Sequence, residues 1–287
     1  MTVEVLQVLV YGVVLGSIVT LGAIGVSLLY GILGFAHFAH GDLMTMGAYF
    51  AFVFVAAWGW PIWIAGAWAI VGGIALAIAV DRVLYRPLRR TAPVILLIAS
   101  IGVALILRSL VQLVWGPDTL VYVQEIQLPV KFAGLRIKPD QIYIVVGAVL
   151  LVAALHLFLR HTRTGKAMRA MADDPDLARV TGIDTDRVIL WTWATGTALA
   201  VAAGVFLGID TRLQPTMGWH LLLPVFAAAI LGGIGKPYGA IVGGMVVGIS
   251  SEMSTLVITP VYKPAIAFGL MVIMLIVRPK GLLGLAR

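Results

Sequence analysis

Cysteine is missing from all 287 residues, which excludes disulfides, thiolate metal sites and a thiol nucleophile. Charge is nearly missing as well. Asp, Glu, Lys and Arg make up 11% of the chain, against about 25% in soluble domains. The stretches 5–41, 43–80, 141–159, 188–209 and 213–235 contain none of the four, so a water-soluble globule is excluded. The chain has no Gly-x-x-x-x-Gly-Lys-[Ser/Thr] phosphate loop, and therefore does not hydrolyse ATP by that route; His-Glu-x-x-His and Gly-x-Ser-x-Gly elements are absent too. No Lys or Arg precedes Arg82. The opening Met-Thr-Val-Glu lacks the basic region of a signal peptide, so the first apolar segment reads as a retained helix. The longest polar stretches, 116–140 and 160–187, are too short for a soluble enzymatic domain.

Apolar sequence dominates: 61% of residues are hydrophobic and the mean hydropathy is +1.04. Crossing a bilayer core takes roughly 20 apolar residues, and the ten-residue alternation of an outer-membrane barrel is absent. The chain reads as an all-α polytopic membrane protein, one domain over 1–287. Spans are expected near 5–35, 43–57, 61–80, 94–115, 141–159, 188–209, 221–235, 238–257 and 264–278, giving eight to ten in all. The last of these and 221–235 are short enough to be broken or re-entrant. The first is too long for a straight crossing, at roughly 48 Å for 1.5 Å per residue, and is expected to tilt or to break near Gly31–Gly34.

The net charge of +7 reflects where loops lie rather than an affinity for nucleic acid. Basic residues cluster at 82–90, at 160–187 and at the tail, where Arg278, Lys280 and Arg287 lie. Placing these and Lys236 inside puts fourteen basic residues in the cytoplasm and five outside, with Arg108 within the membrane. The N-terminus is then outside and the C-terminus inside. Trp58, Trp60, Trp63, Trp115 and Trp219 are expected at the outer interface, and Trp191 and Trp193 at the inner one. Most of the 32 glycines, including Gly22, Gly25, Gly72, Gly73, Gly243, Gly244 and Gly248, read as close-packing positions on helix faces.

Four regions carry candidate chemistry. Phe35-Ala36-His37-Phe38-Ala39-His40-Gly41-Asp42 interrupts apolar sequence with two His, one Asp and a Gly that frees the backbone. It reads as a surface loop with Asp42 capping a helix from Leu43, as a broken helix beside a translocation path, or as a metal site from His37, His40 and Asp42. The broken helix is the preferred reading, with Phe38, Ala39, His40, Gly41 and Asp42 on the path and no metal. A weak internal echo relates Ile32-Leu33-Gly34…Gly41 to Ile230-Leu231-Gly232…Gly239.

In the second region, 160–187, Asp174-Pro175 reads as an N-cap and first helical position, and Gly182 as the residue past the helix end. This predicts a short helix Pro175–Thr181 after a basic turn from Thr164 through Met171. Leu177 and Val180 share a face, as a docking surface for a cytosolic partner would require. In the third, Val121-Tyr122-Val123 and Val130 through Ile137 suggest a small outer hairpin. The fourth is a set of isolated groups: Arg108 reads as a structural residue snorkelling to the outer interface, and Glu252 and Lys263 as a rim. Acidic or basic groups are otherwise scarce in the spans, so a pore that moves solute uphill without them needs its energy from elsewhere, most simply from a separate nucleotide-hydrolysing subunit.

Leu29-Tyr30-Gly31-Ile32-Leu33-Gly34 leading into Phe38-Ala39-His40-Gly41-Asp42 resembles the start of branched-chain amino-acid ABC transporter permeases, on the LivH-like side of the pair. Arg169-Ala170-x-Ala172-x-Asp174 with Ala178, Gly182-Ile183 and Thr185-Asp186-Arg187-Val188 is similar to that family's cytoplasmic segment. Ala229-Ile230-Leu231-Gly232-Gly233-Ile234-Gly235 and Arg278-Pro279-x-Gly281-Leu282 fit as well, so the resemblance covers nearly the whole chain.

The resemblance implies a non-enzymatic permease of the ABC importer type in the bacterial inner membrane. It implies a LivM-like second permease, two cytosolic ATPases that hold ATP and magnesium, and a periplasmic binding protein. Arg169, Ala170, Asp174, Leu177, Ala178, Gly182 and Ile183 would form the coupling segment. The cargo would be a branched-chain amino acid, the chain itself binding no cofactor. Permeases for urea, short amides or aromatic acids look alike at this level, and an ion-coupled carrier relaying protons through His37, His40 and Asp42 is the alternative of another class.

Overall fold

The computed structural model describes residues 2–122, 129–132, 134–279 and 281–283. Val123 and Ala133 of the outer loop, and Lys280 and Arg287 of the basic tail, lie outside them. Twelve α-helices follow one another: α1 (Thr2–Leu33), α2 (His40–Trp58), α3 (Ile62–Val80), α4 (Arg86–Leu88), α5 (Pro93–Trp115), α6 (Pro139–His161), α7 (Arg163–Asp173), α8 (Pro175–Val180), α9 (Thr185–Asp210), α10 (Met217–Gly232), α11 (Pro237–Met253) and α12 (Lys263–Val277). A π-helical turn, Asp81–Tyr85, joins α3 to α4. Among the described residues, eight helices are long and apolar enough to cross a membrane. Helix α10 is the ninth apolar segment; at 16 residues with Pro224 inside, it is too short to count. The segment expected at 264–278 is extended by a 3-10 lead-in, so that Pro260–Val277 reaches spanning length.

Helix α1 does not break. It runs unbroken for 32 residues and forms the centre of the bundle, with 89% of its most apolar window buried against 6% for the α12 span. The reason lies in its small residues. Gly12 and Gly16 on α1 meet Gly248 and Ile249 on α11, and a side chain at Gly248 would strike the Gly16 backbone. Gly244 closes in the same way on Thr20. In lipid no hydrophobic drive pairs helices, so this backbone-to-backbone approach is what holds α1 against α11. On the other side, Gly204 of α9 rests on the Met44 backbone and Gly47 of α2 on Val201.

The loop 116–140 holds an antiparallel pair, β1 (Val130–Phe132) and β2 (Leu135–Ile137), in the register Val130↔Ile137. Val121 and Tyr122 are not part of it. Leu120 instead bridges Leu213, and the Tyr122 hydroxyl donates to the Ala48 carbonyl at 2.9 Å. Burial raises the pKa of that hydroxyl, keeping it a donor.

Candidate functional site

Helix α1 ends where Gly34 takes φ +74°, a left-handed conformation that suits glycine. The Gly34 N–H still donates to the Tyr30 carbonyl at 2.9 Å. Residues 34–39 are non-helical, and α2 begins at His40 rather than Leu43. The stretch therefore joins two separate helices, each long enough to cross a membrane, and does not interrupt one. Its backbone is satisfied locally: the Phe38 N–H donates to Ser100 Oγ at 3.0 Å and the His40 N–H to the His37 carbonyl at 3.2 Å.

Asp42 is not the helix cap. Ala39 occupies that position without a side-chain bond, and Asp42 lies inside the first turn with both oxygens bound by Arg108, Nε to Oδ1 and Nη2 to Oδ2, each at 3.0 Å. Arg108 is thus no snorkel. Its guanidinium turns inward to Asp42 and lies 4.6 Å from the ring centroid of Trp219, a ring that is 38% exposed. A carboxylate in an apolar bundle is stable only when paired, and Arg108 is the base that pairs it. Helix α10 is pinned to the same turn of α2: the Gly218 N–H donates to Thr45 Oγ1 at 3.0 Å, and a side chain on Gly41 would strike the Gly218 carbonyl.

His37 and His40 do not converge on Asp42 as ligands. His37 Nε2 lies 3.0 Å from the Tyr85 hydroxyl, edge-on to Trp193 with centroids 5.0 Å apart. Trp193 in turn stacks on Tyr85 at 5.4 Å and 3°, so it too is a core residue and not an interfacial one. His40 fills the gap beside Gly25. Among the described residues no group of three His, Asp or Glu could hold a metal ion. Of the path candidates, Ala39, His40, Gly41 and Asp42 are buried in packed protein, and Phe38 packs on Phe226 at 5.2 Å. Tyr85 and Thr45 carry no signal of these contacts in the sequence, and Trp193 and Trp219 read there only as interfacial rings. The available signal was Arg108 itself, a base in an uncharged run with an acid needed nearby.

The polar segment 160–187 follows its expected caps. Asp174 Oδ1 accepts from the Asp176 and Leu177 N–H groups at 3.0 Å, opening α8. Gly182 closes it with φ +85° while the Ile183 N–H donates to the Ala178 carbonyl at 3.1 Å. Ala178 is buried, whereas Leu177 is 61% and Val180 84% exposed. The expected basic turn is a helix, α7, because Thr162 caps it by accepting from the Gly165 N–H at 2.9 Å. Arg169 is exposed on it. Behind α8, Arg89 joins Asp81 to Asp186, with Arg86 also on Asp186 at 3.1 Å.

Among the described residues, eight crossing helices with α1 buried at their centre, and a polar elbow between α6 and α9, make a polytopic permease fold. The structure of PsaBC from Streptococcus pneumoniae in complex with Fab contains a chain of similar fold, with TM-score 0.54 and 14% identity over 96% of this chain and 91% of that one. Residues 8–275 match the family model described as branched-chain amino acid transport system / permease component, and the chain belongs to that family. It is 37% identical to the high-affinity branched-chain amino acid transport system permease protein LivH of Escherichia coli (strain K12), across 97% of this chain and 95% of that protein. It is 35% identical to the corresponding protein BraD of Pseudomonas aeruginosa, with the same coverage.

Proposed function

We propose that this chain is the LivH-like permease subunit of an ABC importer for branched-chain amino acids in the bacterial inner membrane, with its N-terminus outside and its C-terminus in the cytoplasm. It works beside a LivM-like permease, two cytosolic ATPases carrying ATP and magnesium, and a periplasmic binding protein. The chain itself performs no catalysis and needs no cofactor.

The observation that carries this reading is the pair Leu177 and Val180, held out on a six-residue helix capped at both ends. Two exposed aliphatic side chains on so short a rigid element are a plug for a hydrophobic cleft, and apolar anchors in pockets dominate interface energetics. Arg169, Ala170, Asp174, Ala178, Gly182 and Ile183 set the geometry of that plug. Its motion reaches the bundle through Arg86 and Arg89, which tie Asp186 at the start of α9 to the cytoplasmic end of the α3 span. The turn from Phe38 to Asp42, locked to α5 and α10, is the element whose rearrangement alternates access. A proton relay through it is disfavoured because both Asp42 oxygens are already held by Arg108.

Purification in mild detergent tests the assembly, with ATPase chains and a second permease expected to accompany the chain. Uptake of L-leucine by the reconstituted assembly should be blocked by vanadate and unaffected by a protonophore while ATP is kept high. The reverse pattern would assign the chain to the ion-coupled carriers.

A further inference from the structure

Where α9 stops and α10 begins, a cavity of about 610 Å³ opens between α1, α9, α10, α11 and the start of α12. That volume falls within the range of small-molecule sites, roughly 300–1,000 Å³. One wall is aliphatic, built by Leu15, Leu207, Leu221 and Val247. The other carries charges of both signs. Glu252 and Lys263 neutralise each other at 2.6 Å and tie α11 to α12 at the rim. Asp210 and Arg212 also line the cavity, yet among the described residues neither makes an ion pair. Around Asp210, the charged neighbours are Lys138, Lys263, Glu252 and Asp140, two of each sign. Asp210 is also the last residue of α9, where the backbone carbonyls favour a positive group.

A half-buried acid and a base two residues away, facing an aliphatic wall, match one chemical class: an α-amino acid zwitterion with an apolar side chain. We propose that this cavity is a transient subsite for that class. The Asp210 carboxylate accepts from the α-ammonium, the Arg212 guanidinium donates to the α-carboxylate, and the aliphatic wall takes the side chain. The proposal rests on the amino-acid permease reading and deepens it: the permease, and not the binding protein alone, reads the head group. A transport site has to release what it binds, so its affinity is weak, on the order of millimolar for leucine.

The test uses the full chain with its co-purifying subunits in lipid nanodiscs and three probes, L-leucine, 4-methylpentanoate and 3-methylbutylamine, the last two each lacking one charge. Saturation-transfer NMR should give leucine a dissociation constant at least about tenfold below either half-molecule, as expected when a charged hydrogen bond is lost. Asp210→Asn should reduce leucine to the level of 4-methylpentanoate, and Arg212→Gln to that of 3-methylbutylamine. Leu207→Trp, which fills the wall, should weaken all three. Equal binding of the three probes to the wild type overturns the subsite, as does an undiminished preference in variants that melt like the wild type. Should a charge-removing variant fail to fold, the wild-type comparison and Leu207→Trp still decide. ATP-driven leucine uptake is measured separately: uptake without zwitterion preference removes only the subsite, and preference without uptake removes only the importer assignment.

Discussion

Arg108 of α5 reaches across 66 positions of sequence to hold both carboxylate oxygens of Asp42 in α2, at 3.0 Å each. Asp42 is 1% and Arg108 16% exposed, so the pair lies within protein and fixes two spans at one register. The Trp219 ring beside the guanidinium brings α10 into the same joint.

Removing one partner leaves an uncompensated buried charge, a loss of about 3–5 kcal/mol. Asp42→Asn and Arg108→Gln should each lower the thermal midpoint in detergent sharply. The double change Asp42→Leu with Arg108→Leu should recover most of that stability and still fail to transport. Additive losses in the double variant would mean the two side chains act independently.

Gly41→Val should stop transport while the chain still inserts. Glycine is required at this position by the Gly218 carbonyl that its missing side chain leaves room for, and not by a distorted backbone, since residue 41 is helical. A β-branched side chain forces α10 off α2 and stretches the Gly218 to Thr45 bond. Wild-type uptake by this variant would contradict a tight α2–α10 joint.

Leu177→Asp with Val180→Asp should leave the melting of the isolated chain within about 0.5 kcal/mol of wild type, as surface substitutions do, because both side chains are exposed. ATP hydrolysis by the assembly should no longer respond to loaded binding protein. Gly182→Glu combines that loss with a strained left-handed position costing roughly 1–2 kcal/mol. Coupled hydrolysis in the Leu177/Val180 double variant would remove α8 from the docking role.

Tyr85→Phe deprives His37 of its hydroxyl partner while preserving the stack on Trp193. An unsatisfied buried polar group costs about 1–3 kcal/mol, so a fall in stability of that size is expected, with no change in response to added Zn²⁺ or chelator. A zinc-dependent melting shift in this variant would reopen the metal reading of His37 and His40.

Features whose signal is local were legible without coordinates. Apolar runs located the eight long spans but also offered 221–235, which falls on the shorter α10, and Asp174-Pro175 followed by Gly182 marked both ends of α8, because a cap is made by residues within a few positions of each other. Misreadings occurred wherever a partner comes from elsewhere. Asp42 looks like a cap and Arg108 like a snorkel when each is read against its own helix; Trp193 looks interfacial for the same reason. The turn expected at 164–171 was a helix because Thr162, just upstream, supplies the cap.

By itself, then, the order of residues determined a helical membrane bundle, its family and the capped polar elbow at 160–187, since hydropathy and capping act along the chain. Only the tertiary structure decided that Asp42 belongs to Arg108, His37 to Tyr85, and that Asp210 and Arg212 face a cavity. Those relations depend on which helix faces come together and at what height, and glycine contacts such as Gly16 on Gly248 and Gly41 on Gly218 set that registration across distances no local pattern spans.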